Sequence, residues 1–254
     1  MPLQPGSCAT CGGSGFVVRR VDGYDRATSC TCRQQNQNGR HLRATGIPPR
    51  FRHCRLDNYE EHHSSQLEAL KRAQDFVRGY PPELPAGLLF SGPCGVGKTH
   101  LAVGILNSLV EEKGVQCLFV DFRDLLKRIQ ETYNPSNRLS ASQVTQPILQ
   151  AELLVLDDLG AAKMTDWVRD ILGHIISQRY NQELITLFTT HFSDAASGGP
   201  EEDTASDGAR MLRKTEPLAD RIGTPLRSRL DEMCRVVPIR GHDYRRTYLR
   251  AADR

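Results

Sequence analysis

Eight consecutive residues, Gly92-Pro93-Cys94-Gly95-Val96-Gly97-Lys98-Thr99, carry the G-x-x-x-x-G-K-T spacing of a loop whose backbone N–H groups wrap nucleotide phosphates. Its glycines admit positive φ and close backbone approach, and the helix that follows adds the partial positive charge of its N-terminus. Lys98 is placed to reach the β and γ oxygens, and Thr99 offers a hydroxyl to Mg²⁺. The loop from Gly92 to Thr99, with His100 directly after it, is therefore the expected ATP-binding segment. A second pattern lies downstream, where Leu153-Leu154-Val155-Leu156 ends in Asp157-Asp158. In a phosphate site Asp157 would share the Mg²⁺ with Thr99, and Asp158 would orient or deprotonate the attacking water. A solvated acidic turn is the plain reading of two such aspartates alone; the company of Lys98 and Thr99 argues against it.

Four cysteines form a third group. Cys8, Cys11, Cys30 and Cys32 make the spacing C-x₂-C-x₁₈-C-x-C, and four thiolates suit tetrahedral Zn²⁺. Gly12, Gly13 and Gly15 permit the tight turn that brings backbone amides toward the sulfurs. The second pair has one intervening residue where two to four are usual, so iron–sulfur or redox use and a metal-free module stay open beside zinc. Cys54, Cys94, Cys117 and Cys234 are scattered and read as reduced thiols, with Cys94 in the phosphate loop either oxidation-sensitive or simply variable.

The elements needed to position these groups follow from periodicity. Strands are expected over 87–90, 115–120, 153–156 and 184–190, alternating with helices over 98–113, 122–131 and 167–182. Such alternation predicts an α/β fold with a central parallel sheet flanked by helices, preceded by a helix over 66–80 and closed by a strand over 235–239. Residues 1–34 are too few to bury much apolar surface and would fold on their metal; 35–65 read as linker and 66–254 as the nucleotide-binding domain. Within that domain the polar interval 132–145 is long enough to suggest that it binds something, and 193–208 looks like a disordered insertion. His62 and His63 read as polar surface.

At 254 residues the chain holds one full α/β core and a small accessory module. The net charge of +3 permits nucleic-acid contact without demanding it. Arg240, Arg245, Arg246, Arg250 and Arg254 crowd the tail, as a nucleic-acid contact or as a solvated end. No run approaches the roughly 18 uncharged apolar residues of a membrane span, and the start lacks an apolar signal region, so a cytoplasmic protein with no membrane partner is expected.

Read together, Gly46-Ile47-Pro48-Pro49-Arg50-Phe51, the glycine loop with Thr99-His100-Leu101-Ala102, the stretch Leu153 to Gly160, Thr189-Thr190, and Ser228-Arg229-Leu230-Asp231-Glu232-Met233-Cys234 resemble the AAA+ ATPases of the DnaC/DnaI helicase-loader and IstB group. The resemblance runs from Gly46 almost to the C-terminus, and the cysteine module ahead of it looks like the DnaI type, where a zinc domain contacts the replicative helicase. It implies an AAA+ P-loop NTPase core behind a small zinc-ribbon-like module, with ATP, Mg²⁺ and Zn²⁺ as cofactors. Arg229 matches the arginine finger that such ATPases present to a neighbouring subunit, which implies an ATP-dependent homo-oligomer; Arg227 is a weaker match. The interval 132–145 falls where DNA-contacting insertions occur, which implies Tyr133, Asn134, Asn137 and Arg138 as contact residues, with a plain solvated loop as the alternative.

One departure stands out. His191 occupies the position that senses the γ-phosphate, where the family usually has Asn; an imidazole still donates a hydrogen bond, but its charge varies with pH. The resemblance thus implies an ATPase with Lys98, Asp157, Asp158, Arg229 and His191 as catalytic residues. Asp at 158, shorter than the Glu of many AAA+ motors, implies slow, partner-stimulated hydrolysis. The function expected is a helicase loader that binds the replicative DNA helicase and single-stranded DNA during replication. The alternative is an IstB-like transposition helper that remodels target DNA. A zinc-dependent adaptor that binds nucleotide without turning it over, and a small-molecule kinase, account for fewer of these residues.

Overall fold

The computed structural model describes residues 8–21, 24–32, 42, 44–82, 86–134, 136–137, 139–192 and 217–248. The expected insertion at 193–208, Arg138, and Arg250 and Arg254 lie outside them. An N-terminal hairpin pairs β1 (Phe16–Val21) with β2 (Tyr24–Ser29) in antiparallel register. Five further strands, β3 (Gly87–Ser91), β4 (Cys117–Asp121), β5 (Leu153–Asp157), β6 (Ile185–Thr190) and β7 (Cys234–Pro238), form one sheet in the order β4-β5-β6-β3-β7. Every neighbouring pair is parallel.

The helices are α1 (Ser64–Arg78), α2 (Lys98–Ser108), α3 (Phe122–Glu131), α4 (Ala141–Gln150), α5 (Asp166–Asn181), α6 (Leu218–Ile222), α7 (Thr224–Met233) and α8 (Tyr244–Thr247), with a 3-10 turn at Pro49–Phe51 and a π-helical turn at Leu109–Lys113 that continues α2. Strand side chains alternate between two cores, as the pleat requires. Leu88, Phe90, Val155 and Leu187 pack on one face with Leu101 and Ile105 of α2 and Leu70 and Val77 of α1. Leu89, Leu154, Leu156 and Phe188 pack on the other with Phe122, Ile148, Leu172 and Leu230. Because both faces are covered, β3, β5 and β6 are buried at every position, which is why Leu88–Phe90 and Leu153–Leu156 read as continuous apolar runs. This is the parallel, helix-flanked sheet expected of an AAA+ P-loop core.

Two stretches differ from the sequence-based expectation. Ile47, Cys54, Leu56 and Tyr59 lie inside the expected 35–65 linker yet are buried in the core beside α2. Asn107 of α2 donates to the Cys54 carbonyl at 2.8 Å, and Phe119 donates its N–H to the Thr45 carbonyl at 2.6 Å along the free edge of β4. The chain here is packed but irregular, so it offers no period to detect. The polar interval expected over 132–145 is also interrupted, since α4 starts at Ala141 behind a Ser140–Gln143 capping box.

Arg179 of α5 is fully buried and knits this half together. It donates to Thr186 Oγ1 and to the carbonyls of Ile148, Ala151 and Ile185, at 2.7 to 2.9 Å. Burial lowers its pKa to about 10, which leaves it charged at neutral pH. No described helix is long and apolar enough to cross a membrane.

Candidate functional site

Strand order decides which side chains meet. Since β6 lies between β5 and β3, the carboxyl ends of these three strands stand side by side, and the phosphate loop leaves β3 at Ser91 into the same crevice. Asp157, the last residue of β5, receives a hydroxyl donor from each side. Thr99 Oγ1, in the first turn of α2, donates to Asp157 Oδ1 at 2.9 Å, and Thr189 Oγ1 of β6 donates to the same oxygen at 2.6 Å. Burial pushes the Asp157 pKa up, and the two hydroxyls only partly offset it. A buried carboxylate beside a threonine hydroxyl is a donor set that suits a small oxygen-liganded cation such as Mg²⁺.

Asp158 turns the other way. Its backbone is left-handed, with φ of 58°, an uncommon conformation for a residue other than glycine that aspartate tolerates better than most. The turn is held from β6: the Asp158 N–H donates to Thr189 Oγ1 at 2.9 Å, the Leu159 N–H donates to the Thr189 carbonyl at 2.8 Å, and Thr190 Oγ1 donates to the Leu159 carbonyl at 2.8 Å. Arg221 of α6 secures the loop further on, donating to the carbonyls of Gly160 and Ala162 while lying over the Phe192 ring. The Asp158 carboxylate faces His191 Nδ1 at 3.2 Å and Arg123 Nε at 3.9 Å, and its side chain is 39% exposed. One aspartate is thus buried and its neighbour is open to solvent.

The phosphate loop is braced from both sides. Tyr59 donates its hydroxyl to the Val96 carbonyl at 2.9 Å, and Gln66 of α1 donates to the same oxygen at 3.2 Å. Gly97 has φ of 97°, and a Cβ there would run into the Tyr59 ring; Gly95 has φ of 80°, and a Cβ would strike Asp243. The Tyr244 N–H, at the start of α8, donates to the Gly95 carbonyl at 3.1 Å. Lys98 is buried, and its ammonium donates to the carbonyls of Gly92 and Pro93 at 2.8 and 2.7 Å; desolvation lowers its pKa. Glycines pressed by their surroundings, a buried lysine and the Thr99–Asp157 pair together fit a polyphosphate carrying a divalent cation. Bound there, Mg²⁺ would supply Lewis-acid stabilisation of phosphoryl charge.

Other expected residues stand apart. The His100 imidazole points to the 53–59 segment, with Nε2 at 2.8 Å from the Arg55 carbonyl and 2.9 Å from Asn58 Oδ1, so its side chain braces α2. Arg229 on α7 donates from Nη1 to Ser177 Oγ of α5 at 2.7 Å, outside the group at the phosphate loop. Arg227 is buried with Asp231 at 2.5 Å. Cys94 is exposed.

The four N-terminal cysteines do converge. Their sulfurs all lie within 4.8 Å of one another, with Cys8 Sγ at 3.8 Å from Cys30 Sγ and Cys11 Sγ at 3.3 Å from Cys32 Sγ. Zn–S bonds of about 2.3 Å in a tetrahedron put sulfurs about 3.8 Å apart, so the set fits a Zn(Cys)₄ centre. The Gly15 N–H donates to Cys11 Sγ at 3.3 Å; backbone N–H groups of Thr10 and Cys11 lower the Cys8 pKa, while the crowding sulfurs of Cys11 and Cys30 push that of Cys32 up.

The IstB-like ATP binding protein model matches residues 27–196, about two thirds of the chain and all of the crevice described above up to His191. The chain belongs to that family. Among relatives of this IstB-like protein, the replicative helicase loader DnaC of Escherichia coli K12 is 28% identical over 173 residues, 68% of this chain and 67% of that one. A crystal structure of the DnaC helicase loader superposes with a TM-score of 0.61 at 32% identity, covering 76% of this chain and 100% of the other. A DnaI crystal structure, at 21% identity and a TM-score of 0.60, shares the fold. The chain is therefore a DnaC/IstB-like AAA+ ATPase, a class that binds nucleotide with Mg²⁺.

Residue-by-residue reading missed Tyr59, Thr189, Arg221 and Asp243. Thr189-Thr190 was visible only as part of the family pattern, and nothing local marks which carboxylate Thr189 would serve.

Proposed function

We propose that this IstB-like ATPase is an ATP-dependent loader of a replicative DNA helicase. The observation that carries the reading is the Thr99–Asp157–Thr189 group beside the phosphate loop, in a chain whose relatives include the E. coli replicative helicase loader DnaC. Lys98 and the loop from Gly92 to Thr99 hold the triphosphate, Thr99 and Asp157 hold Mg²⁺, and Asp158 orients the attacking water. His191, against Asp158, reports the γ-phosphate; Arg229 reaches the nucleotide of a neighbouring copy, so the working form is an ATP-dependent homo-oligomer. Hydrolysis is slow and partner-stimulated, because Asp158 shares its carboxylate with His191 and Arg123. The cysteine module holds Zn²⁺ and docks the helicase, and the ATPase core engages single-stranded DNA.

Co-purification of the full-length protein, and of a form lacking residues 1–34, with the host's replicative helicase in ATP and Mg²⁺ tests this. Capture by the full chain and loss on deletion are expected. If neither form captures helicase while both still bind ATP, the loader reading fails. The second reading, a transposition helper acting on target DNA, is favoured by the family model itself, which is the IstB type. It predicts capture of a transposase in the same assay and a transposase gene beside this one.

A further inference from the structure

The two faces of the N-terminal hairpin are unlike. Directly paired residues share a face, so Phe16 with Ser29, Val18 with Ala27 and Arg20 with Asp25 form one side, while Val17 with Thr28, Arg19 with Arg26, and Tyr24 form the other. On the first side Arg20 is set across from a carboxylate. On the second, two arginines stand directly opposite one another, an arrangement that repulsion disfavours. Among the described residues no carboxylate lies within ion-pair reach of Arg19 or Arg26. Next to them on the same face Tyr24 is 77% exposed, and every residue of β2 is exposed.

A like-charged guanidinium pair beside a bare aromatic ring is a poor surface to leave in water and a good one for a chain that alternates phosphates with stackable rings. We infer that this face binds single-stranded nucleic acid, with Arg19 and Arg26 on backbone phosphates and Tyr24 stacked on a base. Tyr24 is what favours this ligand over an acidic protein surface, which needs the charges alone. The arginines sit toward the turn, away from the cysteine end, so metal thiolates do not neutralise them. The inference does not rest on the loader reading: it requires neither ATP nor a helicase.

The test is fluorescence anisotropy of a short labelled oligothymidylate with the full-length protein, without nucleotide, across a salt series. For Arg19→Glu/Arg26→Glu the affinity should fall about tenfold or more, and the log–log salt slope should become shallower by about 1.4, the value for two phosphates on a single strand. Tyr24→Ala, which removes no charge, should weaken binding about fivefold or more, and it keeps the test open if charge reversal unfolds the hairpin. Arg19→Lys/Arg26→Lys and Phe16→Ser/Val18→Ser should bind nearly as the wild type does. Unchanged oligonucleotide affinity in both Arg19→Glu/Arg26→Glu and Tyr24→Ala would overturn the inference. So would intact oligonucleotide binding with loss of helicase capture, which would make the face a protein contact.

Discussion

The Thr189 hydroxyl stands 2.6 Å from Asp157 Oδ1 and donates to it, while accepting the Asp158 N–H at 2.9 Å. One side chain on β6 thereby sets both acids at the end of β5: it fixes the buried carboxylate that faces Thr99 and holds the turn that sends the next one to the surface. Thr189→Val keeps the shape and removes both bonds. An unsatisfied Asp158 N–H and a less supported Asp157 should cost about 1–3 kcal/mol of stability. Groups that orient a metal ligand are typically worth about 10–100-fold in metal affinity or activity. Steady-state hydrolysis against Mg²⁺ concentration should therefore show that loss in Thr189→Val and much less in Thr189→Ser. Equal Mg²⁺ dependence in all three proteins would remove Thr189 from the site.

Asp157 makes the site a stability burden whose sign depends on pH. Its native pKa is raised by burial, so the native state holds its proton longer than the unfolded chain does. A raised native pKa favours the fold below the unfolded carboxylate value, near pH 4, and that contribution is lost as pH climbs through the raised native value. At neutral pH and above, Asp157→Asn should then be at least as thermostable as the wild type in the absence of Mg²⁺, although it should hydrolyse no ATP. The advantage should shrink as pH falls toward about 4. Melting curves from acid to neutral pH check it; a wild-type advantage that widens with rising pH would contradict the sign.

What could be read in the sequence divides along local and tertiary lines. The phosphate loop and the strand ending in Asp157 announce themselves because each is a short contiguous pattern with one chemical use, and α3 spans the same residues as its period predicted. The 45–59 segment hid because its buried Ile47, Cys54, Leu56 and Tyr59 follow the shape of α2 rather than a repeat of their own. Helix α4 had a legible cap in Ser140 and Gln143, yet Pro147 in its interior argues against a helix. The bracing of Gly95 by Tyr244 and of Asp157 by Thr189 joins residues more than thirty positions apart, so only the assembled sheet brings them into view.

The cysteine module should depend on its metal while the ATPase core does not. A two-stranded hairpin with an exposed β2 is at best marginal by itself in water, and among the described residues the four converging sulfurs are the clamp that closes it. Chelation at neutral pH should release one zinc per chain and make residues 8–32 protease-sensitive, with ATP binding retained. Cys30→Ser should behave likewise, since Cys30 is the buried member of the set. Loss of ATP binding on chelation, or a hairpin that stays protected without metal, would contradict this division.

Arg229 offers the sharpest test of shared ATP sites. It sits on α7 with Nη1 on Ser177 and outside the cluster at the phosphate loop, so a catalytic use requires the nucleotide of another copy. A guanidinium that meets developing phosphoryl charge is worth orders of magnitude in rate, about 10³–10⁵ in well-studied GTPases. Arg229→Ala should bind ATP as the wild type does and lose at least about 100-fold in partner-stimulated hydrolysis. Arg229→Lys should recover little of it, because a lysine lacks the planar fork. Mixing Arg229→Ala with Lys98→Ala should restore part of the activity, since a mixed interface pairs one intact loop with one intact arginine. Hydrolysis by Arg229→Ala at the wild-type rate would assign this arginine to the α5–α7 contact alone.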